Sequence, residues 1–163
     1  MAFELEVCVD SVASALTAAE SGATRLEVCA GLAVGGLTPS FGKLCVQVLI
    51  CLPGGYCIEG SLSAAVSFIR TIFSHIRNGA HGFVIGALTR EGDVDMRTCQ
   101  RLLVAAGPQA DTTFHRAFDV ARNPQTALEQ VIELGFRRLL TSGQAASVEH
   151  GLELLARLAS QSR

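Results

Sequence analysis

Short apolar runs alternate along this chain with longer segments in which apolar residues recur at helical spacing. The short runs predict β-strands over residues 4–9, 25–29, 82–88, 111–115 and 136–141, and a further strand is compressed with a short helix into residues 40–52. The longer segments predict helices from a cap at Asp10 or Ser11 to residue 21, and over residues 61–77, 95–106, 124–134 and 147–159. Strict alternation of this kind predicts an α/β fold with a parallel sheet and right-handed crossovers.

Three of the predicted helices end in a similar way, at Gly22, Gly79 and Gly135. The glycines are 57 and 56 residues apart, which corresponds to two βα units of about 28 residues in each interval. The alternatives are an open doubly wound sheet and a (β/α) barrel. No Gly-x-Gly-x-x-Gly motif follows the first strand, so no motif supports a dinucleotide-binding sheet. We expect residues 1–163 to form a single domain.

The composition is apolar, with 49% hydrophobic and 17% charged residues, which suits strands covered on both faces. The net charge of −2 and the lack of a basic stripe argue against nucleic acid as a partner. No apolar run approaches the roughly 18 residues of a membrane span, and the amino terminus has no secretory pattern. We therefore expect a reducing compartment, in which the six cysteines are not paired in disulfides. Three of these cysteines, Cys45, Cys51 and Cys57, are expected to be packing residues.

The sequence Leu-Glu-Val-Cys occurs twice, once in each of the first two predicted strands, and ends at Cys8 and Cys29. Alternate residues of a strand share a face, so Glu6 lies on the face of Cys8, and Glu27 on the face of Cys29. We expect the aliphatic residues between them to face the helices. The glutamates and cysteines should then face the interior near the carboxyl ends of the strands, where barrel proteins place their sites.

Several motifs together resemble those of the CutC family, which are copper homeostasis proteins with a TIM-barrel fold. They are Glu6-Val7-Cys8-Val9-Asp10-Ser11, Glu27-Val28-Cys29-Ala30-Gly31-Leu32, Gly35-Gly36-Leu37-Thr38-Pro39-Ser40, Gly86-Ala87-Leu88-Thr89, Thr113-Phe114-His115-Arg116-Ala117-Phe118-Asp119 and Leu140-Thr141-Ser142-Gly143. The resemblance implies an incomplete TIM barrel with about six of the eight βα units. Residues 43–57 depart from the family pattern, because the Arg-Pro-Arg-Gly-Gly-Asp-like run of the family is replaced by Cys51-Leu52-Pro53-Gly54-Gly55-Tyr56-Cys57.

The resemblance supports Cys8 and Cys29 as copper ligands. Neighbouring strands lie about 4.8 Å apart, so two cysteines at matching positions could reach one ion. Soft thiolates select Cu(I), which makes copper the predicted metal. The alternative is that both cysteines are small buried packing residues.

Glu6, Glu27, His115 and Arg116 form a predicted polar pocket for an anionic or metal-bound ligand, since inward carboxylates need partners. The alternative for these four residues is a structural ion-pair network. Asp119 precedes a helix and is expected to cap it rather than to act as a catalytic acid. The remaining histidines, at positions 75, 81 and 150, are expected to be solvated.

The leading hypothesis is a copper homeostasis protein that binds Cu(I) in the cytoplasm, with the nucleus as a second compartment, and is not an enzyme. The second hypothesis is a TIM-barrel enzyme of the lyase or isomerase type, in which Glu6, Glu27 and His115 transfer protons on a small polar substrate. The third is a shortened variant without independent activity. A partial barrel leaves strand edges open, so we expect the chain to form a homo-oligomer and to have no membrane partner.

Overall fold

The computed structural model describes residues 5–34 and 80–162, in which short strands alternate with helices. The elements are β1 (Glu6–Val9), α1 (Val12–Glu20), β2 (Arg25–Val28), a 3₁₀ turn (Leu32–Val34), β3 (Gly82–Ile85), α2 (Met96–Ala106), β4 (Asp111–Phe114), a second 3₁₀ turn (Arg116–Val120), α3 (Pro124–Leu134), β5 (Arg138–Leu139) and α4 (Val148–Gln161). The predicted alternation is confirmed for these residues. The strand predicted within residues 40–52 and the helix over 61–77 lie outside them.

The strands pair in parallel, as predicted. β1 pairs with β2, and β4 lies between β3 and β5. Within residues 5–34 and 80–162 the strands thus form two parallel groups rather than a closed ring. The crossovers between sequential strands are made by α1, α2 and α3.

The helix starts follow the capping residues in the sequence. The Ser11 side chain accepts a hydrogen bond from the Ser14 amide, so Ser11 rather than Asp10 caps α1. Asp95 caps α2 by accepting from the Thr98 amide at 2.9 Å. Asn123 caps α3, which has a proline in its first turn. These local signals are the reason that the helix boundaries were predictable.

Two of the described strands are shorter than predicted by three or more residues. β3 ends at Ile85 instead of residue 88, because Leu88 turns back to form an antiparallel bridge with Val94. β5 is only Arg138–Leu139, although the backbone amide of Leu140 still donates to the Phe114 carbonyl. The chain leaves the sheet after this bond, since the next side chain, Thr141, binds Asp119.

The core lies between the strands and the helices that cover them. Leu26 and Val28 of β2 pack with Val9 of β1 and Ala15 of α1, so the aliphatic face of the repeat faces the helix, as expected. Among residues 5–34 and 80–162 the largest cluster lies around Phe114, and the Phe114 ring meets that of Phe136 edge-on at 5.3 Å. Because α1 covers the aliphatic face of β1 and β2, the opposite face is left for the glutamates and cysteines.

Candidate metal site

The register between β1 and β2 brings the polar residues of the repeat together. Glu6 lies opposite Arg25, and Cys8 lies opposite Glu27. The two copies of the repeat are therefore not in register with each other, but are displaced by two residues. A shift of two preserves the face of every side chain in a strand, so the thiols and carboxylates remain on one side. Cys29 follows β2 and lies one step beyond the paired residues.

Cys8, Glu27 and Cys29 form a compact group of three possible metal donors. The sulfur atoms of the two cysteines and one carboxylate oxygen of Glu27 lie within 4.8 Å of one another. Cys8 is exposed, whereas Glu27 is 8% exposed and Cys29 is fully buried. The group therefore has an open side at Cys8 and a closed side at Cys29.

The environment of Glu27 opposes its ionisation. Burial raises the pKa of the Glu27 carboxyl, and the negative charge of Glu6 raises it further. A hydrogen bond with the Cys8 side chain and the charge of Arg25 act in the opposite direction but do not cancel the effect of burial. The Cys29 thiol donates to the backbone carbonyl of Glu27 at 3.6 Å. Both cysteines are thus joined to Glu27 by hydrogen bonds.

Glu6 belongs to an ion-pair network at the amino-terminal ends of the strands. The Arg25 guanidinium lies 2.9 Å from Glu6 and 3.6 Å from Asp111, and Arg138 lies 2.6 Å from the same Asp111 oxygen. The hydrogen bond from Arg138 is the main reason that the pKa of Asp111 is lowered, and burial opposes it. The ion pair with Arg25 matches the alternative prediction for Glu6, a structural ion-pair network.

His115 lies at the carboxyl end of β4 and is 5% exposed. Its Nδ1 accepts a hydrogen bond from the Ala117 amide at 3.1 Å. The imidazole ring also packs closely on Gly86, where a Cβ atom would lie only 3.0 Å from the ring. Burial lowers the pKa of His115 to about 4. The imidazole is therefore neutral at physiological pH and does not supply a positive charge to the glutamates.

Arg116 binds Asp119 rather than a glutamate of the predicted pocket. Its Nε donates to Asp119 at 2.7 Å, and its Nη2 donates to the Ser142 hydroxyl at 2.8 Å. The proposed pocket of Glu6, Glu27, His115 and Arg116 thus stays a prediction. The structure places Glu27 with the cysteines, Glu6 with Arg25 and Arg116 with Asp119.

The expectation that Asp119 caps a helix is wrong, because Asn123 caps α3. The Asp119 carboxylate instead accepts hydrogen bonds from the side chains of Thr141 and Ser142 and from the amides of Ser142 and Gln144. Burial alone would raise the pKa of Asp119, but these bonds and that from Arg116 lower it. Asp119 thereby joins the turn after β4 to the turn after β5. Both ends of this contact lie in motifs that carry the family resemblance, but neither motif by itself indicated that the two meet.

Of the remaining cysteines and histidines, one is buried, two are exposed and four lie outside the described residues. Cys99 is fully buried, its thiol donates to the Ala87 carbonyl at 3.7 Å, and burial raises its pKa to about 12. His81 and His150 are exposed, as expected. The others lie outside the described residues: Cys45, Cys51, Cys57 and His75. Cys99 is therefore an inert packing residue rather than a ligand.

Known proteins are similar to this sequence over nearly its whole length. The sequence model of the CutC family matches residues 3–163. A family protein CutC from Bacteroides thetaiotaomicron is 40% identical over 98% of this chain and 67% of its own length. Those from Vibrio vulnificus and Chromobacterium violaceum are 41% and 43% identical, over 100% and 96% of this chain and 69% and 66% of their own lengths. The chain spans about two thirds of the length of these relatives.

The structure has the same fold as a solved member of that family. The crystal structure of CutC from Streptococcus agalactiae, provisionally named a copper homeostasis protein, matches with a TM-score of 0.86. The match covers 98% of this chain and 83% of the other, at 22% identity. The chain is an α/β protein of the CutC family, and the family resemblance in the sequence motifs is confirmed.

Proposed function

We propose that this CutC family chain takes part in copper homeostasis by binding Cu(I) through Cys8 and Cys29. The proposal rests on one observation, the approach of both sulfurs and the Glu27 carboxylate to within 4.8 Å of one another. Thiolates are soft ligands and select Cu(I). Cys8, at the exposed side, is the thiol that an incoming ion meets first, and Cys29 is the buried anchor.

The wider proposal follows the solved relative and the motifs. We infer an incomplete TIM barrel in which the metal site lies on the interior face of the first two strands, in the reducing cytoplasm. Among residues 5–34 and 80–162, no helix combines the length and apolar character needed to cross a bilayer. Self-association of the chain and proton transfer by Glu6, Glu27 and His115 in an enzyme remain predictions, since no contact described above favours them.

Competition with a Cu(I)-selective chelator tests the proposal. Reduced protein should take up one Cu(I) at the pair, and Cys8→Ser or Cys29→Ser should lower the affinity by roughly 100-fold, about 2.7 kcal/mol. Serine preserves the size of the side chain but replaces the soft donor with a hard oxygen.

Cys99→Ala is the matched control, because it removes a thiol that is buried in another part of the core. It should leave Cu(I) affinity unchanged. Thermal melting of every variant in the absence of metal separates loss of a ligand from loss of the fold. Undiminished Cu(I) affinity in the Cys8→Ser/Cys29→Ser double variant would overturn the proposal.

A further inference from the structure

We infer that Glu27 is a third donor of this site, and that the same site also accepts a divalent cation of borderline softness, represented by Zn²⁺. The inference rests on the proposed function, because it takes Cys8 and Cys29 as ligands. It adds a ligand and a second class of ion to that function, and it follows from the position, chemistry and charge of the Glu27 carboxylate.

The position of Glu27 is set by the sheet and not by a flexible loop. Glu27 lies directly opposite Cys8 across the β1–β2 pair, and two residues before Cys29 on the same face. Three ligands on one zinc ion in tetrahedral geometry are about 3.6–3.8 Å apart, given Zn–S near 2.3 Å and Zn–O near 2.1 Å. The present separations are within 4.8 Å. To hold one zinc ion, the donor atoms therefore have to approach one another by at most about 1.2 Å.

The chemistry of the donor set differs from that of a thiolate pair alone. Two thiolates suffice for Cu(I), which has little affinity for a carboxylate oxygen. Zinc binds both thiolate and carboxylate, and its catalytic sites have three protein ligands and a fourth position open to water or substrate. In this structure the open side is at Cys8, the exposed member of the group. The third donor is therefore of use to the divalent ion and not to Cu(I).

The charge of the site leads to the same class of ion. With both thiolates and the carboxylate ionised, the three ligands carry a charge of −3. Binding of a divalent ion leaves a net charge of −1 on the site, and binding of a monovalent ion leaves −2. The smaller net charge costs less here, because Glu27 and Cys29 are buried. The nearby cation, Arg25, already lies 2.9 Å from Glu6. Binding releases the two thiol protons to the solvent, and the hydrogen bond between Cys8 and Glu27 is replaced by bonds to the metal.

Glu27→Gln tests the inference, with Co²⁺ as a coloured probe and Zn²⁺ as its competitor. The wild-type protein should bind Co²⁺ with a sulfur-to-metal charge-transfer band that Zn²⁺ abolishes. In Glu27→Gln the affinity for both ions should fall by roughly tenfold or more, whereas Cu(I) affinity should change by less than about threefold. Glu27→Asp retains a carboxylate and should recover part of the loss. Glu20→Gln, at the exposed end of α1, is the matched control and should bind like the wild type.

The outcomes separate this inference from the proposed function. Cu(I) uptake by the wild type without Co²⁺ or Zn²⁺ uptake would overturn the inference and leave the proposed function intact. Equal Co²⁺ affinity in wild type and Glu27→Gln, or equal loss of Co²⁺ and Cu(I) affinity in that variant, would also overturn it. Undiminished Cu(I) binding in the double cysteine variant would instead overturn the proposed function, whatever Co²⁺ does.

Discussion

Cys8 and Glu27 face each other across the parallel pair of β1 and β2, although they occupy different positions of the Leu-Glu-Val-Cys repeat. The repeated residues would have placed cysteine opposite cysteine. The observed shift of two residues instead places a carboxylate opposite the first thiol and leaves the second thiol beyond the end of the ladder. The candidate metal site is therefore a staggered group of three possible donors rather than a symmetric pair.

The exposure of Cys8 predicts how the thiols react. With iodoacetamide under native conditions, Cys8 should be alkylated rapidly and Cys99 should stay unmodified, since Cys99 is fully buried and its pKa is raised to about 12. One equivalent of Cu(I) should protect Cys8. Peptide mapping by mass spectrometry over time measures each site separately. Alkylation of Cys99 at the rate of Cys8 in folded protein would contradict the assignment, and denatured protein supplies the fully reactive control.

The burial of His115 predicts that the protein loses stability on mild acidification. Its folded pKa of about 4 lies below the ordinary 6.5, so the unfolded chain binds more protons between these values. The contribution of neutral His115 to the free energy of unfolding is fully present above about pH 6.5 and is lost as the pH falls toward 4. Between pH 7.5 and 5 this should amount to roughly 2 kcal/mol of the free energy of unfolding.

Urea denaturation at the two pH values measures that change. His115→Gln should lower stability at both values but should reduce the difference between them. The matched control is His81→Gln, at an exposed position. This variant should show the same change in stability between the two pH values as the wild type. An unchanged pH dependence in His115→Gln would contradict the prediction.

The Asp119 contacts predict a large difference between two similar substitutions. Asp119→Asn should destabilise the protein by roughly 2–4 kcal/mol, because the Asp119 side chain is only 8% exposed and an amide cannot accept from all of its donors. Asp93→Asn is the control, since its partner Arg122 is exposed, Asp93 itself is only partly buried, and such a pair should contribute less than about 1 kcal/mol.

Urea unfolding at neutral pH compares these two variants. Because the pKa of Asp119 is lowered, its contribution is present above the ordinary carboxyl range and is lost as the pH falls through the folded value. The difference in the free energy of unfolding between wild type and Asp119→Asn should therefore become smaller at acidic pH. Equal effects of the two substitutions at neutral pH would refute the role of Asp119 as an anchor.

Gly151 lies in α4 at a point where the helix touches the turn after β5. A Cβ at Gly151 would overlap the Ser142 carbonyl and approach the Gly143 Cα to 3.0 Å. Gly151→Ala should therefore destabilise the protein by about 1–3 kcal/mol, although alanine favours a helix. In the same helix the exposed Ala156→Gly should cost about 0.5–1 kcal/mol. Thermal unfolding that shows Gly151→Ala to be more stable than the wild type would contradict this close packing.

Much of the fold was predictable because its signals are local. Ser11, Asp95 and Asn123 begin helices through bonds to amides two or three residues away, so neighbouring sequence suffices to recognise them. The strand ends were less predictable. β3 ends early because Leu88 bridges to Val94 and the chain turns, and the short β5 ends where Thr141 leaves the sheet for Asp119.

By itself the sequence determined the family, the order of parallel βα units and the face shared by Glu6, Cys8, Glu27 and Cys29, since the period of a strand assigns side chains to faces. Only the tertiary structure decided which of them meet. The register of β1 on β2 joined Glu27 to the cysteines, Arg25 held Glu6, and Asp119 bound residues 22 to 25 positions away. These contacts depend on the pairing and packing of distant segments, which a local pattern does not contain.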